Sequence, residues 1–313
     1  MAQSSVDDTK RKALITMSKT LYLSDLDGTL LRSDIRISAY TAKTIDRLVK
    51  EGGCFSYATA RSLVTAAKVT EGLDIEFPVI CYNGAFIFGN ESKNILHSDF
   101  FTPDEVRFVS ETLTAHGVYP IVFSFTTGEG GIDDIDGFHI PDGSADADSH
   151  DGLERFSYIE RFATPAIRTF LNSRKGDPRT HEADSVEQLY SGNVFYFAAL
   201  DTEQSLSPIN DIFKDDKRFT CLYQKDIYDE TQWCELLPAT ATKASAAIKL
   251  KEMLGCDRIV AFGDGLNDLS MFAVADECYA MANAVPELKA IATAVIGSND
   301  EDGVAKWLEK QLF

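Results

Sequence analysis

The first 88 residues alternate short apolar runs with segments whose apolar positions recur every three to four residues. Residues 21–23, 54–58 and 78–82 have the composition of short buried strands. Residues 38–51 and 62–70 carry a helical period, and the first of these ends at a glycine pair. This order of strand, helix, strand, helix and strand predicts a parallel sheet with crossover helices.

The pattern changes in the middle of the chain and then returns. A hairpin near residues 86–101 is followed by isolated helices and strands, and this mixture predicts an α+β insertion over residues 89–231. From residue 232 onward helices and strands alternate again, ending in a helix over 303–312. We therefore predict an α/β protein with a Rossmann-like parallel-sheet core formed by residues 17–88 and 232–313, an insertion over 89–231, and a disordered extension over 1–16.

The composition argues against nucleic acids and membranes as partners of this protein. The formal net charge is −19 at pH 7 and the pI is about 4.6, so the surface repels nucleic acids and anionic membranes. The chain has no apolar run of membrane-spanning length and no secretory signal pattern. Its six cysteines form no C-x-x-C pair, which suits reduced thiols. We expect a cytoplasmic monomer or weak homodimer.

Two carboxylates follow the first predicted strand. Asp25 and Asp27 are separated by one residue, so in an extended backbone they point to the same side. Two such charges repel each other unless they are solvated, share a proton or are bridged by a cation. A single D-x-D pattern also occurs in ordinary acidic turns. Other parts of the chain are therefore needed to distinguish such a turn from a cation-binding pair.

Further polar residues follow other predicted strands of the same sheet. The loops after the carboxyl ends of parallel strands carry the chemistry in such folds. Such loops hold Thr59, Arg61 and Asn83, and a later loop carries Asp264 and Asp268. Carboxylate oxygens are the ligands that Mg²⁺ prefers.

Two further features suit a phosphoryl group. Thr59 offers a hydroxyl beside backbone N–H groups at a helix start, where phosphate oxygens bind. Lys243 lies near another helix start and supplies a point charge. The sequence therefore predicts a site for a metal, a phosphoryl group and a nucleophilic carboxylate.

Five motifs in this order give a resemblance to a known family. They are D-L-D-G-T-L-L at 25–31, A-T-A-R at 58–61, N-G-A at 83–85, the lysine at 243, and F-G-D-G-L-N-D at 262–268. The chain resembles the haloacid dehalogenase superfamily, and specifically its Cof-type phosphatases with a large inserted cap. The resemblance covers residues 19–313 and implies that the insertion is a cap that selects the substrate.

The resemblance assigns chemical roles to the four aspartates. It implies that Asp25 is the nucleophile and a Mg²⁺ ligand. It implies that Asp27 is the acid/base, with its backbone carbonyl at the metal. Asp264 would be a direct ligand, and Asp268 would support the metal and its waters.

The resemblance also implies which residues contact the substrate. Thr59 and Lys243 would hold the phosphate, with Asn267 nearby. Arg61 and Asn83 are further candidates, for which a structural role and substrate contact are equally favoured.

The predicted function is a Mg²⁺-dependent phosphatase of small phosphorylated metabolites, most of all sugar phosphates. A phosphotransferase or mutase with the same aspartyl-phosphate is the enzymatic alternative, and a sensor without turnover is the non-enzymatic one. In the insertion, Arg174, Asp177 and Arg179 are candidates for substrate contact, although a solvated surface turn is the favoured interpretation.

Overall fold

The computed structural model describes residues 19–74, 76–90, 94–126, 154–225 and 231–312. The predicted extension over 1–16 lies outside these residues. Contacts between Cα atoms divide the chain into two compact units. The first unit comprises Met1–Val79 and Ala246–Phe313, and the second unit comprises Ile80–Ser245.

The described strands are numbered in chain order. They are β1 (Thr20–Ser24), β2 (Cys54–Tyr57), β3 (Val79–Cys81), β4 (Phe86–Phe88), β5 (Ile95–Ser98), β6 (Ile121–Phe125), β7 (Glu154–Tyr158), β8 (Thr180–Glu182), β9 (Asn193–Asp201), β10 (Phe219–Lys225), β11 (Gln232–Pro238), β12 (Arg258–Gly263), β13 (Glu277–Ala280) and β14 (Ala294–Val295).

The described α-helices are numbered in the same way. They are α1 (Ala39–Lys50), α2 (Leu63–Val69), α3 (Pro103–Ala115), α4 (Pro165–Asn172), α5 (Val186–Leu189), α6 (Glu203–Phe213), α7 (Lys243–Met253), α8 (Leu269–Val274), α9 (Pro286–Ile291) and α10 (Gly303–Leu312).

The first unit contains a five-stranded sheet in the order β14-β13-β12-β1-β2. Every neighbouring pair in it is parallel, which confirms the predicted parallel core. Strand β1 lies between β12 and β2, and its Leu21, Leu23 and Ser24 are buried, as expected for an interior strand covered on both faces. Serine caps begin the helices after β1 and β2: the side chain of Ser38 accepts the Thr41 N–H, and that of Ser62 accepts the Thr65 N–H.

The second unit contains a six-stranded sheet in the order β10-β11-β9-β6-β7-β8. Its pairs are antiparallel except β7 with β8, which are parallel. Helices α3 and α6 bury Val109, Leu113, Leu206, Ile209 and Phe213 in one apolar cluster with residues of this sheet. This α+β unit matches the predicted character of the insertion.

Two strands lie in sheets other than those we predicted. Strand β3 belongs to a separate three-stranded sheet, β3-β4-β5, instead of the parallel core. Residues 82–85 between β3 and β4 are too few for a crossover, so β4 pairs directly with β3.

The sequence predicts that the core resumes at residue 232, which would place β11 in the parallel sheet. Strand β11 lies instead between β10 and β9, with Cys221 opposite Leu236 in one ladder and Phe197 opposite Leu236 in the other. These pairings place Gln232–Pro238 in the second unit, so the observed division of the chain differs from the predicted boundaries at both ends of the insertion.

The hairpin of β4 and β5 was predicted, whereas β7, α4 and β8 were not. Among the described residues, no helix combines the length and apolar character that crossing a membrane requires.

Candidate active site

Three adjacent parallel strands bring the predicted loops of the first unit together. Asp25 directly follows β1, Asp264 directly follows β12, and Thr59 comes two residues after β2. The backbone N–H of Asp25 donates to the carbonyl of Phe262 at 2.9 Å, which joins the first two loops at their origin. The pairing of the strands therefore brings the loops to one edge of the sheet.

Three carboxylates converge at this edge. Asp25, Asp264 and Asp268 each offer an oxygen, and these oxygens lie within 4.8 Å of one another. Asp25 and Asp268 are 5% and 0% exposed. Buried carboxylates this close repel each other unless a cation or a proton intervenes. The set of hard oxygen donors fits a divalent metal such as Mg²⁺.

Local hydrogen bonds hold two members of this cluster. The hydroxyl of Thr29 donates to Asp264 Oδ1 at 2.9 Å. The backbone N–H groups of Asp264 and Gly265 donate to Asp268 Oδ2 at 2.9 and 3.0 Å. Asp268 thus organises its own loop through one oxygen.

Gly28 permits the close approach of two loops. Its φ of +74° lies in the left-handed region, which residues with a Cβ adopt only at a cost. A Cβ at this position would lie 2.7 Å from Asp264 Cγ and would collide with Asp264 Oδ2. Glycine is therefore required here both by the backbone and by the neighbouring carboxylate.

Arg61 pairs with the predicted acid/base. Its Nε and Nη2 donate to the two oxygens of Asp27 at 2.7 and 2.5 Å, and the Asp27 side chain is 51% exposed. The backbone N–H of Arg61 also donates to the Thr59 hydroxyl at 3.1 Å, and Thr59 is fully buried. From the sequence, a structural role and a contact with substrate are equally favoured for Arg61. In the folded protein Arg61 makes a bidentate contact with the Asp27 carboxylate, which orients that side chain.

The remaining predicted residues are divided between the two units. Asn267 lies half-buried in the loop that carries Asp264 and Asp268. Asn83 and Lys243 belong to the second unit and are 4% and 1% exposed.

Within the second unit the segments that carry Asn83 and Lys243 are in contact. A Cβ on Gly84 would lie 2.8 Å from the backbone nitrogen of Lys243 and would collide with the carbonyl of Thr242. Asn83 and the start of α7 are therefore close together in space within this unit, although they are distant in the sequence.

Sequence reasoning missed Asn283. Its Nδ2 donates to the carbonyl of Gly28 at 2.7 Å, and its Oδ1 accepts the backbone N–H of Asn299 at 3.2 Å. Asn283 thus secures the loop that carries Asp25 and Asp27. The signal for it was available, because Asn283 also lies just beyond the carboxyl end of a parallel strand, β13.

The candidates in the insertion have different environments. Arg179 is 8% exposed and pairs with Glu154 at 3.1 Å and Asp177 at 2.7 Å, so it does not lie in a solvated turn. Burial raises the pKa of Glu154 to about 7, and the Arg179 charge opposes this rise. Arg174 covers the ring of Phe170 at 3.5 Å and lines an open cleft of about 330 Å³.

A second buried acid lies on β11. Glu235 is 6% exposed and accepts a hydrogen bond from the Tyr196 hydroxyl at 2.6 Å. Burial raises its pKa to about 7, while the bond from Tyr196 works in the opposite direction.

Comparison with known proteins places the chain among phosphate-releasing enzymes. Residues 22–308 match a model of haloacid dehalogenase-like hydrolases. The chain is 28% identical over 299 residues to 5-amino-6-(5-phospho-D-ribitylamino)uracil phosphatase YwtE of Bacillus subtilis, covering 92% of this chain and 96% of that one. It is 23% identical to pyridoxal phosphate phosphatase YbhA of Escherichia coli, covering 95% of this chain and 100% of that one.

A solved structure supports the fold. A haloacid dehalogenase-like hydrolase from Bacteroides thetaiotaomicron superimposes with a TM-score of 0.67 at 23% identity, covering 93% of this chain and 98% of that one. The family match and this likeness confirm the predicted resemblance and fold class, and the family and its named relatives confirm that the expected activity is that of a phosphatase.

Proposed function

Because the chain belongs to the haloacid dehalogenase-like hydrolase family, we propose that it is a Mg²⁺-dependent phosphatase that works through an aspartyl-phosphate on Asp25. The observation that carries this proposal is the convergence of Asp25, Asp264 and Asp268 within 4.8 Å at the edge of the parallel sheet. The proposed substrates are small phosphorylated metabolites, with sugar phosphates as the favoured class.

In the first step, a carboxylate oxygen of Asp25 attacks phosphorus and forms a new P–O bond. The bond from phosphorus to the leaving oxygen breaks, and Asp27, which enters this step in its protonated form, donates its proton to that oxygen. In the second step, Asp27 removes a proton from the attacking water. The bond from phosphorus to Asp25 then breaks, which releases inorganic phosphate and restores the carboxylate.

The Arg61 contact gives Asp27 a defined starting position. A bidentate guanidinium holds both oxygens of a carboxylate in one plane, which limits the rotation of the side chain. The Asp27 oxygen that carries the proton must turn toward the leaving group. One of the two hydrogen bonds from Arg61 to Asp27 must therefore break before the proton is donated. Arg61 would thus orient the acid/base between steps.

Charge on the transferring phosphoryl oxygens needs compensation in a protein of net charge −19. When held by Asp25, Asp264 and the Asp27 carbonyl, with Asp268 supporting it, Mg²⁺ would supply positive charge that compensates the phosphoryl oxygens. In the proposal Lys243 and Thr59 hold the phosphate, and Asn267 and Asn83 contact the bound substrate.

The substrate class rests on the relatives. The names of the two phosphatases above specify a phosphorylated ribitylamino compound and pyridoxal phosphate, both small phosphorylated metabolites. The proposed chemistry at Asp25 and Asp27 concerns only the phosphoryl group, so the proposal assigns substrate choice to the second unit.

The test is release of inorganic phosphate from a panel of sugar phosphates, polyol phosphates, pyridoxal phosphate and p-nitrophenyl phosphate, with Mg²⁺ or with excess chelator. We expect turnover without any added acceptor, loss in chelator and recovery with Mg²⁺. Asp25→Asn should lower turnover by about 10³-fold or more. Asp104→Asn is the matched control, because this carboxylate is 88% exposed in the other unit.

Full activity in chelator after removal of all metal would contradict the metal role. Phosphoryl transfer only to an added acceptor, without free phosphate, would identify a phosphotransferase instead.

A further inference from the structure

Three consecutive residues after β3 have positive φ. The values are 50° for Tyr82, 52° for Asn83 and 106° for Gly84. Glycine adopts this region freely, asparagine does so at a small cost in conformational energy, and tyrosine does so at a larger one. Such residues keep this conformation only where their surroundings hold them. The contacts of Tyr82 and Asn83 therefore show what holds the turn in this conformation.

Asn83 is held by a buried chain of side-chain hydrogen bonds. Its Nδ2 donates to the Tyr196 hydroxyl at 3.1 Å. That hydroxyl donates to Glu235 Oε1 at 2.6 Å. Tyr196 and Glu235 lie on adjacent strands, β9 and β11, and both are buried. The chain thus links the turn to the middle of the six-stranded sheet.

The direction of these bonds fixes the orientation of the amide. A tyrosine hydroxyl has one proton, and Tyr196 gives it to Glu235. Its oxygen can then act only as an acceptor toward Asn83. The amide must present Nδ2 to Tyr196, and a flip would place two oxygens against each other. Glu235 therefore determines through Tyr196 which way the Asn83 amide points.

A second buried acid holds the preceding residue. The hydroxyl of Tyr82 contacts Glu154 Oε1, and Arg179 Nη1 donates to both oxygens of the same carboxylate at 3.2 and 3.1 Å. The ring of Tyr82 packs against Phe195 with ring centroids 4.9 Å apart. Both residues of the turn that carry the conformational cost are thus held by separate polar contacts to buried acids.

We propose that Tyr196 and Glu235 are positioning residues that fix the Asn83 amide for substrate binding. This inference rests on the proposed function, in which Asn83 contacts the substrate, and it adds the two residues that act through Asn83. The alternative, a purely structural network, would stabilise the second unit without affecting how Asn83 meets the substrate.

The kinetic test uses Tyr196→Phe, Glu235→Leu and Glu235→Gln, assayed with p-nitrophenyl phosphate and with the best sugar phosphate of the panel. Tyr196→Phe removes the hydroxyl that accepts from Asn83, and Glu235→Leu removes the carboxylate that accepts from this hydroxyl. For both variants we expect kcat/KM for the sugar phosphate to fall about 5–30-fold, mainly through KM. Glu235→Gln keeps an acceptor oxygen and should stay within about 3-fold of wild type. Tyr190→Phe is the matched control, because Tyr190 lies in the same unit and packs against Phe197.

Coupling to Asn83 separates positioning from structure. In an Asn83→Ala background, Tyr196→Phe should change kcat/KM by less than about 2-fold, since the residue it orients is gone. An undiminished effect of Tyr196→Phe in that background would overturn the proposal.

A readout independent of turnover is the side-chain amide resonance of Asn83 in asparagine-labelled protein, assigned with Asn83→Ala. We expect it to shift in Tyr196→Phe and Glu235→Leu and to remain near its wild-type position in Glu235→Gln and Tyr190→Phe. An unchanged resonance in Tyr196→Phe would refute the inference. If the wild-type protein releases no phosphate from any ester, the proposed function fails, and this resonance still decides whether Tyr196 and Glu235 orient Asn83.

Discussion

Replacement of Gly28 by alanine should separate the conformational cost of a glycine from its role at the carboxylate cluster. Gly28 and Gly52 both have positive φ, +74° and +91°, and both belong to the first unit. A Cβ on Gly52 meets nothing within 4 Å, whereas a Cβ on Gly28 meets Asp264. Gly52→Ala therefore measures the backbone cost alone.

The expected magnitudes follow from these contacts. Alanine in a left-handed conformation costs about 1–2 kcal/mol, and this should apply to both variants. The Gly28 Cβ would lie 2.7 Å from Asp264 Cγ, whereas carbon atoms in contact settle about 3.5–4.0 Å apart. Asp264 must then move by roughly 1 Å, a displacement that can cost about 10²-fold in rate.

The assay compares urea unfolding and Mg²⁺-dependent phosphate release for both variants. We expect Gly52→Ala to lose the backbone cost alone, and Gly28→Ala to lose at least as much free energy of unfolding, since its Cβ also displaces Asp264. Only Gly28→Ala should lose about 10²-fold in kcat/KM and need about 10–100-fold more Mg²⁺ for half-maximal rate. Equal activity and equal Mg²⁺ dependence in the two variants would refute the placement of Asp264 at the reacting centre.

Two further predictions concern charge. Because burial raises the pKa of Glu235 from 4.5 to about 7, the folded protein holds a proton that the unfolded chain releases, so the free energy of unfolding should fall between pH 4.5 and 7. The fall attributable to Glu235 is roughly 3 kcal/mol. In urea unfolding across this range, the free energy of unfolding of Glu235→Gln should therefore depend less on pH than that of the wild type. The same pH dependence in both proteins would contradict the raised pKa of Glu235. Arg61→Lys removes the bidentate contact to Asp27 and should lower kcat for a sugar phosphate about 10-fold, with a smaller loss for p-nitrophenyl phosphate, whose leaving group needs little protonation. Equal losses for both esters would mean that Arg61 acts on a step other than proton transfer.

The carboxylate cluster could be predicted because its geometry follows from local rules. Asp25 and Asp264 each follow an apolar strand, and parallel strands present their carboxyl ends at one edge of the sheet. The same rule accounts for Thr59. It would also have indicated Asn283, whose contact with the Gly28 carbonyl depends on where β13 ends.

Strand partners and buried polar chains could not be predicted in this way. The local pattern of residues 232–238 is that of a strand that could belong to either sheet. Only their pairing with β9 and β10 places them in the second unit. Tyr196 lies 113 positions from Asn83, a separation at which no local pattern applies.

Arg179 shows the same limit for a charged residue. In a turn rich in charged residues it has the pattern of a solvated side chain. It is buried because it pairs with Glu154, which lies 25 positions earlier in the sequence. A buried arginine needs such an opposite charge to compensate for its loss of water.

Rapid-quench trapping of protein-bound phosphate tests most directly whether Asp25 is the nucleophile. The Asp27→Asn protein is mixed with p-nitrophenyl phosphate and Mg²⁺ and then quenched, and peptide mass locates the phosphoryl group. Attack needs little proton donation with this leaving group, but hydrolysis of the intermediate lacks its base, so we expect the phosphoryl group to accumulate on Asp25. A phosphoryl group on any other residue, or one trapped in the Asp25→Asn protein, would contradict the mechanism.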